Sequence, residues 1–123
     1  MGQILEMLKM NGLDLESIEN QTPEMCIIAV RQNGLALKYV NNQLDEICLE
    51  AVIENPDSLY YVNNQTEKIC MEAIKRNAWS LVYVKNKTYK LCLMAVKQDG
   101  YALKFVNKEE LNLSDEQMRD IYI

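Results

Sequence analysis

The chain has 123 residues, 49% hydrophobic and 25% charged, with a formal net charge of −5, which fits one globular domain and excludes a disordered or collagen-like chain. No apolar run approaches the roughly 18 residues needed to span a bilayer. The acidic balance opposes general nucleic-acid binding, because affinity for a phosphate backbone comes chiefly from Lys and Arg that displace counterions.

The N-terminal segment MGQILEMLKMNG has neither the positive leader nor the small-residue cleavage site of a secretory signal, so a cytoplasmic location is expected. Gly2 does not start a myristoylation motif, since Glu6 stands where that motif needs Ser or Thr. Shifted by 22, Asn11-Gly12-Leu13 falls on Asn33-Gly34-Leu35, Leu15 on Leu37 and Ile18 on Val40. Residues 1–20 therefore read as a degenerate first unit that serves as an N-terminal cap.

Beyond that cap the chain is a tandem repeat. Cys26, Cys48, Cys70 and Cys92 stand 22 residues apart, each followed three residues later by Ala29, Ala51, Ala73 or Ala95. The units are residues 21–42, 43–64, 65–86 and 87–108, in register without a gap. A fixed period of this size marks a solenoid in which each unit buries its apolar face against its neighbours.

Within a unit, Thr22, Thr66 and Thr88 are placed to cap a first turn, and Pro23 to open one. Apolar residues at i, i+1, i+4 and i+5, such as Ile69, Cys70, Ala73 and Ile74, then predict an amphipathic helix A of about three turns. Asn33, Asn55, Asn77 and Asp99 predict a second N-cap, with Pro56 forcing Asn55 out of the helical region. Leu37, Leu59, Leu81 and Leu103, each with a valine three residues on, predict a short helix B of about two turns. Asn41-Asn42, Asn63-Asn64 and Lys85-Asn86 are expected to close the unit by bonding nearby backbone.

Residues 109–123 read as a C-terminal cap. Ser114-Asp115-Glu116-Gln117 is a capping box that should place Met118, Ile121 and Tyr122 over the final repeat. The predicted fold is thus all-α, a short α-solenoid of four 22-residue bihelical repeats in one domain, residues 1–123, with capping helices at both ends.

The cysteines are expected to be free, buried packing residues. Equivalent helices of neighbouring units lie about 8–10 Å apart, whereas a disulfide needs Cα atoms within roughly 7 Å. There is no CxxC pair and no histidine to complete a zinc site. With only four glycines, no GxxxxGK loop and no GxSxG elbow, no catalytic constellation is recognised, and a non-enzyme without metal or cofactor is expected.

The unit pattern, carried by Cys26, Ala29-Val30, Asn33-Gly34, Leu37 and Tyr39-Val40 and recurring over residues 21–108, resembles the repeat called domain of unknown function 4116. The resemblance implies a helical repeat found in giant-virus proteins and in some bacteria and phages. It carries no catalytic residue with it.

Function is sought where the repeats disagree. Two and five residues after each helix B cap stand Leu35 and Lys38, Asp57 and Tyr60, Trp79 and Val82, Tyr101 and Lys104. Leu35, Tyr60, Trp79, Val82, Tyr101 and Lys104 are the candidate partner-binding residues, on an exposed ridge rich in hot-spot types. The structural alternative has Trp79 and Tyr101 packing across to the next repeat. The leading expectation is a protein-binding scaffold, a viral or phage effector occluding a host protein, acting as a monomer or homodimer. A second reading is nucleic-acid or anionic-ligand binding by Lys85, Lys87, Lys90 and Lys97 of the basic fourth repeat, and a third is an acidic mimic of nucleic acid.

Overall fold

The computed structural model describes residues 2–122, and among them every regular element is helical. The N-terminal cap opens with α1 (Gly2–Met10). Helix A of the four units is α2 (Pro23–Gln32), α3 (Asp45–Glu54), α4 (Glu67–Arg76) and α5 (Tyr89–Gln98). The threonine hydroxyls cap as expected: Thr22, Thr66 and Thr88 accept from the N–H groups of Met25, Ile69 and Leu91. The second unit has Leu44 in that place and no side-chain cap.

Helix A ends on the residue that begins helix B. Asn33, Asn55, Asn77 and Asp99 share an extended backbone, φ between −153° and −147°. Each donates its own N–H to the preceding alanine carbonyl at 2.9 Å. Each also accepts with its side chain from the N–H two residues on. One residue thereby caps both helices, and no loop separates them.

Helix B is a 3₁₀ helix, which the sequence pattern did not distinguish from an α-helix. It runs as η1 (Gly12–Ser17), η2 (Gly34–Tyr39), η3 (Pro56–Tyr61), η4 (Ala78–Tyr83) and η5 (Gly100–Phe105). At about 2.0 Å per residue against 1.5 Å for an α-helix, six residues return the chain most of the length of helix A. Three residues per turn also set Leu37, Leu59 and Leu81 directly in line with Val40, Val62 and Val84, and all six are buried.

The turns that close the units are held by glutamines, correcting the role given to the asparagine pairs. Gln43 donates to the Tyr61 carbonyl and accepts from the Asn63 N–H, both at 2.9 Å. Gln21 and Gln65 repeat the arrangement on Tyr39 and Asn41, and on Tyr83 and Lys85. The thiols of Cys26, Cys48 and Cys70 point at the same glutamine oxygens at 3.6–3.8 Å. In the fourth unit Lys87 takes the glutamine position and donates to Val84 O at 2.8 Å. The asparagine pairs stay exposed. A single amide reaching across the unit satisfies a carbonyl and an N–H at once.

Helix A packs on helix A of the next unit and on the preceding 3₁₀ helix, and the 3₁₀ helices stack beside one another. One core runs through the stack from Leu8 to Ile121. Gly12 and Gly34 admit the closest approach: a methyl on either would collide with the carbonyl of Ala29 or Ala51 in the next unit. The C-terminal cap contains α6 (Lys108–Leu111), ended by Asn112 in the left-handed region at φ 50°, and α7 (Asp115–Tyr122). The Ser114–Gln117 capping box forms reciprocally at 3.0 and 3.1 Å. In α7, Ile121 is buried, Met118 half-buried and Tyr122 exposed.

Two outcomes test this packing. Gln65→Leu should lower stability by about 1–3 kcal/mol by orphaning the Tyr83 carbonyl and the Lys85 N–H, whereas Asn64→Ala should stay within about 0.5 kcal/mol; parallel denaturant melts decide. Ser58 and Ser80 are buried with unpartnered hydroxyls, in the register that Ala36 and Ala102 occupy. Ser80→Ala should accordingly keep or raise the melting temperature.

Candidate protein-interaction surface

The stacked 3₁₀ helices bring the variable positions of helix B into one strip. Tyr60 of the second unit meets Tyr83 of the third edge to face, ring centroids 5.8 Å apart. Trp79 of the third meets Phe105 of the fourth at 5.7 Å. Lys104 Nζ sits 3.9 Å from the centre of the Trp79 ring, and Lys38 Nζ lies over Tyr39 and within 6.0 Å of the Tyr61 ring. Exposure along the strip is 79% for Tyr101, 63% for Tyr60, 44% for Val82 and 40% for Trp79. Leu35 is half-buried, and Lys38 and Lys104 are exposed.

Trp79 packs across to the next unit, as the structural alternative has it, and stays partly exposed. Its indole N–H donates to Asp99 Oδ2 at 2.8 Å, so it ties the third unit to the fourth while one face stays open under Lys104. This bond explains why Asp99 breaks the asparagine series. Its Oδ1 caps Tyr101 at 2.9 Å, leaving Oδ2 to accept from the indole, whereas an asparagine would offer a second donor there. Tyr101 shows the contrasting case of an exposed ring.

The four candidate lysines make separate polar contacts, although Lys85 and Lys87 line one cavity together with Glu110. Lys85 donates to Val62 O at 3.3 Å and Lys87 to Val84 O, so each ammonium group is held by a turn carbonyl. Lys90 pairs with Glu67 of the third unit at 3.2 Å. Lys97 lies in the last turn of α5, about 10 Å along the axis from Lys90 at 1.5 Å per residue. Three helix A carboxylates, Glu50, Glu67 and Glu72, are paired with cations. Arg31 grips Glu50 with two bonds, 3.0 and 3.2 Å, whose hydrogen bonding holds the Glu50 carboxyl below the usual range. Glu72, the equivalent of Glu50 in the next unit, lies 3.5 Å from Arg76.

All four cysteines are free and buried. Burial raises each thiol pKa, and that of Cys48 moves from 9.0 to about 11 with the Asp45 charge adding to it. Among the described residues no group of three or more His, Cys, Asp or Glu is arranged to hold a metal ion, and no helix is long and apolar enough to cross a membrane.

The fold is that of a short helical-repeat solenoid. The family model described as Domain of unknown function (DUF4116) matches twice, over residues 23–67 and 66–111. The chain belongs to that family, each match spanning two of the 22-residue units. No curated protein and no solved structure matches it.

An unfolded chain loses thiol protons before the folded one when burial has raised the folded pKa. The stabilisation is therefore complete below pH 9.0 and is lost as pH rises toward about 11 for Cys48. Cys48→Ala should make the alkaline fall in stability shallower than in the parent chain. Melting both proteins at about pH 8 and about pH 10 and comparing the slopes checks the sign.

Proposed function

We propose that the protein is a non-enzymatic binding scaffold whose stacked 3₁₀ helices present an aromatic and cationic strip to a protein partner and occlude that partner's surface. The observation that carries the reading is the exposure of large apolar side chains on 3₁₀ helices that stack beside one another. Tyr60, Trp79, Val82 and Tyr101 come from three successive units and are each exposed, and large aromatics are among the residues that dominate protein interfaces. Lys38 and Lys104 lie over aromatic rings of the strip, so a partner offering apolar anchors beside carboxylates fits it best. A role as a viral or phage effector against a host protein rests on the resemblance alone and is part of the proposal.

Anionic-ligand binding receives less support, because three of its four lysines are committed to carbonyls or to Glu67 and the net charge is −5.

The experiment is a binding assay of ridge and lysine variants against one captured partner. Tyr101→Ala with Val82→Glu should abolish binding and leave the melt unchanged, as hot-spot truncations cost about 2 kcal/mol or more. Trp79→Ala should weaken binding and also lower stability, since it loses the Asp99 bond. Replacing Lys85, Lys87, Lys90 and Lys97 by glutamine should leave partner binding intact. Full binding by the Tyr101/Val82 variant sinks the proposal.

A further inference from the structure

The last repeat is incompletely covered. The first N–H of a 3₁₀ helix has no partner within its own helix, and in two units the next helix A supplies one. Gln32 accepts from Gly12 N–H at 2.7 Å, and Glu54 accepts from Gly34 N–H at 2.6 Å. In both cases the acceptor stands three residues after the alanine whose carbonyl closes on the glycine, so alanine and acceptor share one helix face. The contact disappears where the glycine does. Pro56 has no N–H, and the corresponding Arg76 has no acceptor and turns to Glu72. Ala78 carries a methyl, and the corresponding Gln98 turns away to donate to the Lys75 carbonyl.

Glycine returns at Gly100, where a methyl would meet nothing within 4 Å. No φ of the molecule's glycines is positive, so its backbone does not require glycine either. The apolar residues around it are under-covered. Leu37, Leu59 and Leu81 are fully buried, as are Val30, Val52 and Ile74, but their equivalents Leu103 and Val96 are half-exposed. Helix α7 lies over the start of α5, where the Tyr89 hydroxyl donates to Asp120 at 3.0 Å. It leaves open the last turn of α5 and the first turn of η5.

We propose that this open end, centred on Gly100 with Val96, Tyr101 and Leu103, is a docking site for the C-terminal turns of a partner's amphipathic helix that presents alanine and, three residues later, glutamine or glutamate. It continues the interface already formed at Gly12 and Gly34. The occupant is not helix α1 of a second copy, because Met7 and Met10 stand there in the alanine and acceptor registers and offer neither a small side chain nor a carboxamide or carboxylate.

The probe is a blocked peptide of residues 43–55, which carries Ala51 and Glu54, titrated into the full isotope-labelled chain. Amide shifts should cluster at Val96, Gly100, Tyr101 and Leu103. Gly100→Val in the chain, and separately Glu54→Ala in the peptide, should each weaken binding at least about tenfold, the scale of one lost charge-assisted hydrogen bond plus its close packing. Gly100→Val should keep the parent melting temperature, since its side chain meets open space, while Gly34→Val should lower it. Absence of shifts at millimolar peptide, shifts located elsewhere, or undiminished binding by Gly100→Val overturns the proposal. Self-association of the chain alone that Gly100→Val abolishes would make a second copy the occupant and overturn it as well.

Discussion

The architecture depends on one residue per unit that stops an α-helix and starts a 3₁₀ helix at the same Cα. Asn33, Asn55, Asn77 and Asp99 hold nearly identical extended angles, donate backward to an alanine carbonyl and accept forward with the side chain. One carbonyl of the first helix and one N–H of the second are thereby served without spending residues on a loop. Ten residues out and six back, closed by a bonded turn, is what makes the period as short as 22. A unit so small cannot enclose a core, and its leucine, valine and alanine faces find burial only against the units on either side.

Close stacking makes substitutions in one unit legible in the next. Pro56 deletes a donor, and the residue facing it, Arg76, carries no acceptor. Trp79 adds a donor, and the residue facing it is Asp99 where the other units have asparagine. Such pairs sit about 20 residues apart in sequence and a few ångströms apart in space, the separation that links positions across adjacent units. The same rule holds for the glutamine bridge. Lys87 replaces the amide in the fourth unit and still reaches a turn carbonyl, though it can only donate.

Division of labour between the two helix types places chemistry on the 3₁₀ side. The cysteine and alanine positions of helix A are buried without exception, and their thiols are held neutral by that burial. In the first three full units helix B buries its leucine, and of the two variable positions in each unit only Leu35 is half-buried while the others are exposed. Lys38 and Lys104 lie over aromatic rings of this side, their charge resting on a ring face. Charge pairing across helix A, as in Arg31 with Glu50 and Lys90 with Glu67, ties neighbouring units together through their side chains.

The sequence by itself determined the repeat, its register, the threonine and asparagine caps, the buried cysteine and leucine positions and the Ser114 capping box, because these rest on local spacing and on residue types whose backbone preferences are strong. It also placed the variable helix B positions together, since equal spacing in a solenoid means equal position in space. The tertiary structure alone decided the helix type of helix B, as leucine and valine three residues apart satisfy 3₁₀ and α geometry alike. It decided which polar side chains close the turns, where Gln21, Gln43 and Gln65 recur at the first position of their units but bond groups 18 and 20 residues away. It decided the contacts of Lys85, Lys87 and Lys90, which neighbour one another in sequence yet reach the Val62 carbonyl, the Val84 carbonyl and Glu67. Hydrogen bonds between distant segments are selected by competition among all polar groups brought within reach, and that competition exists only once the chain has folded.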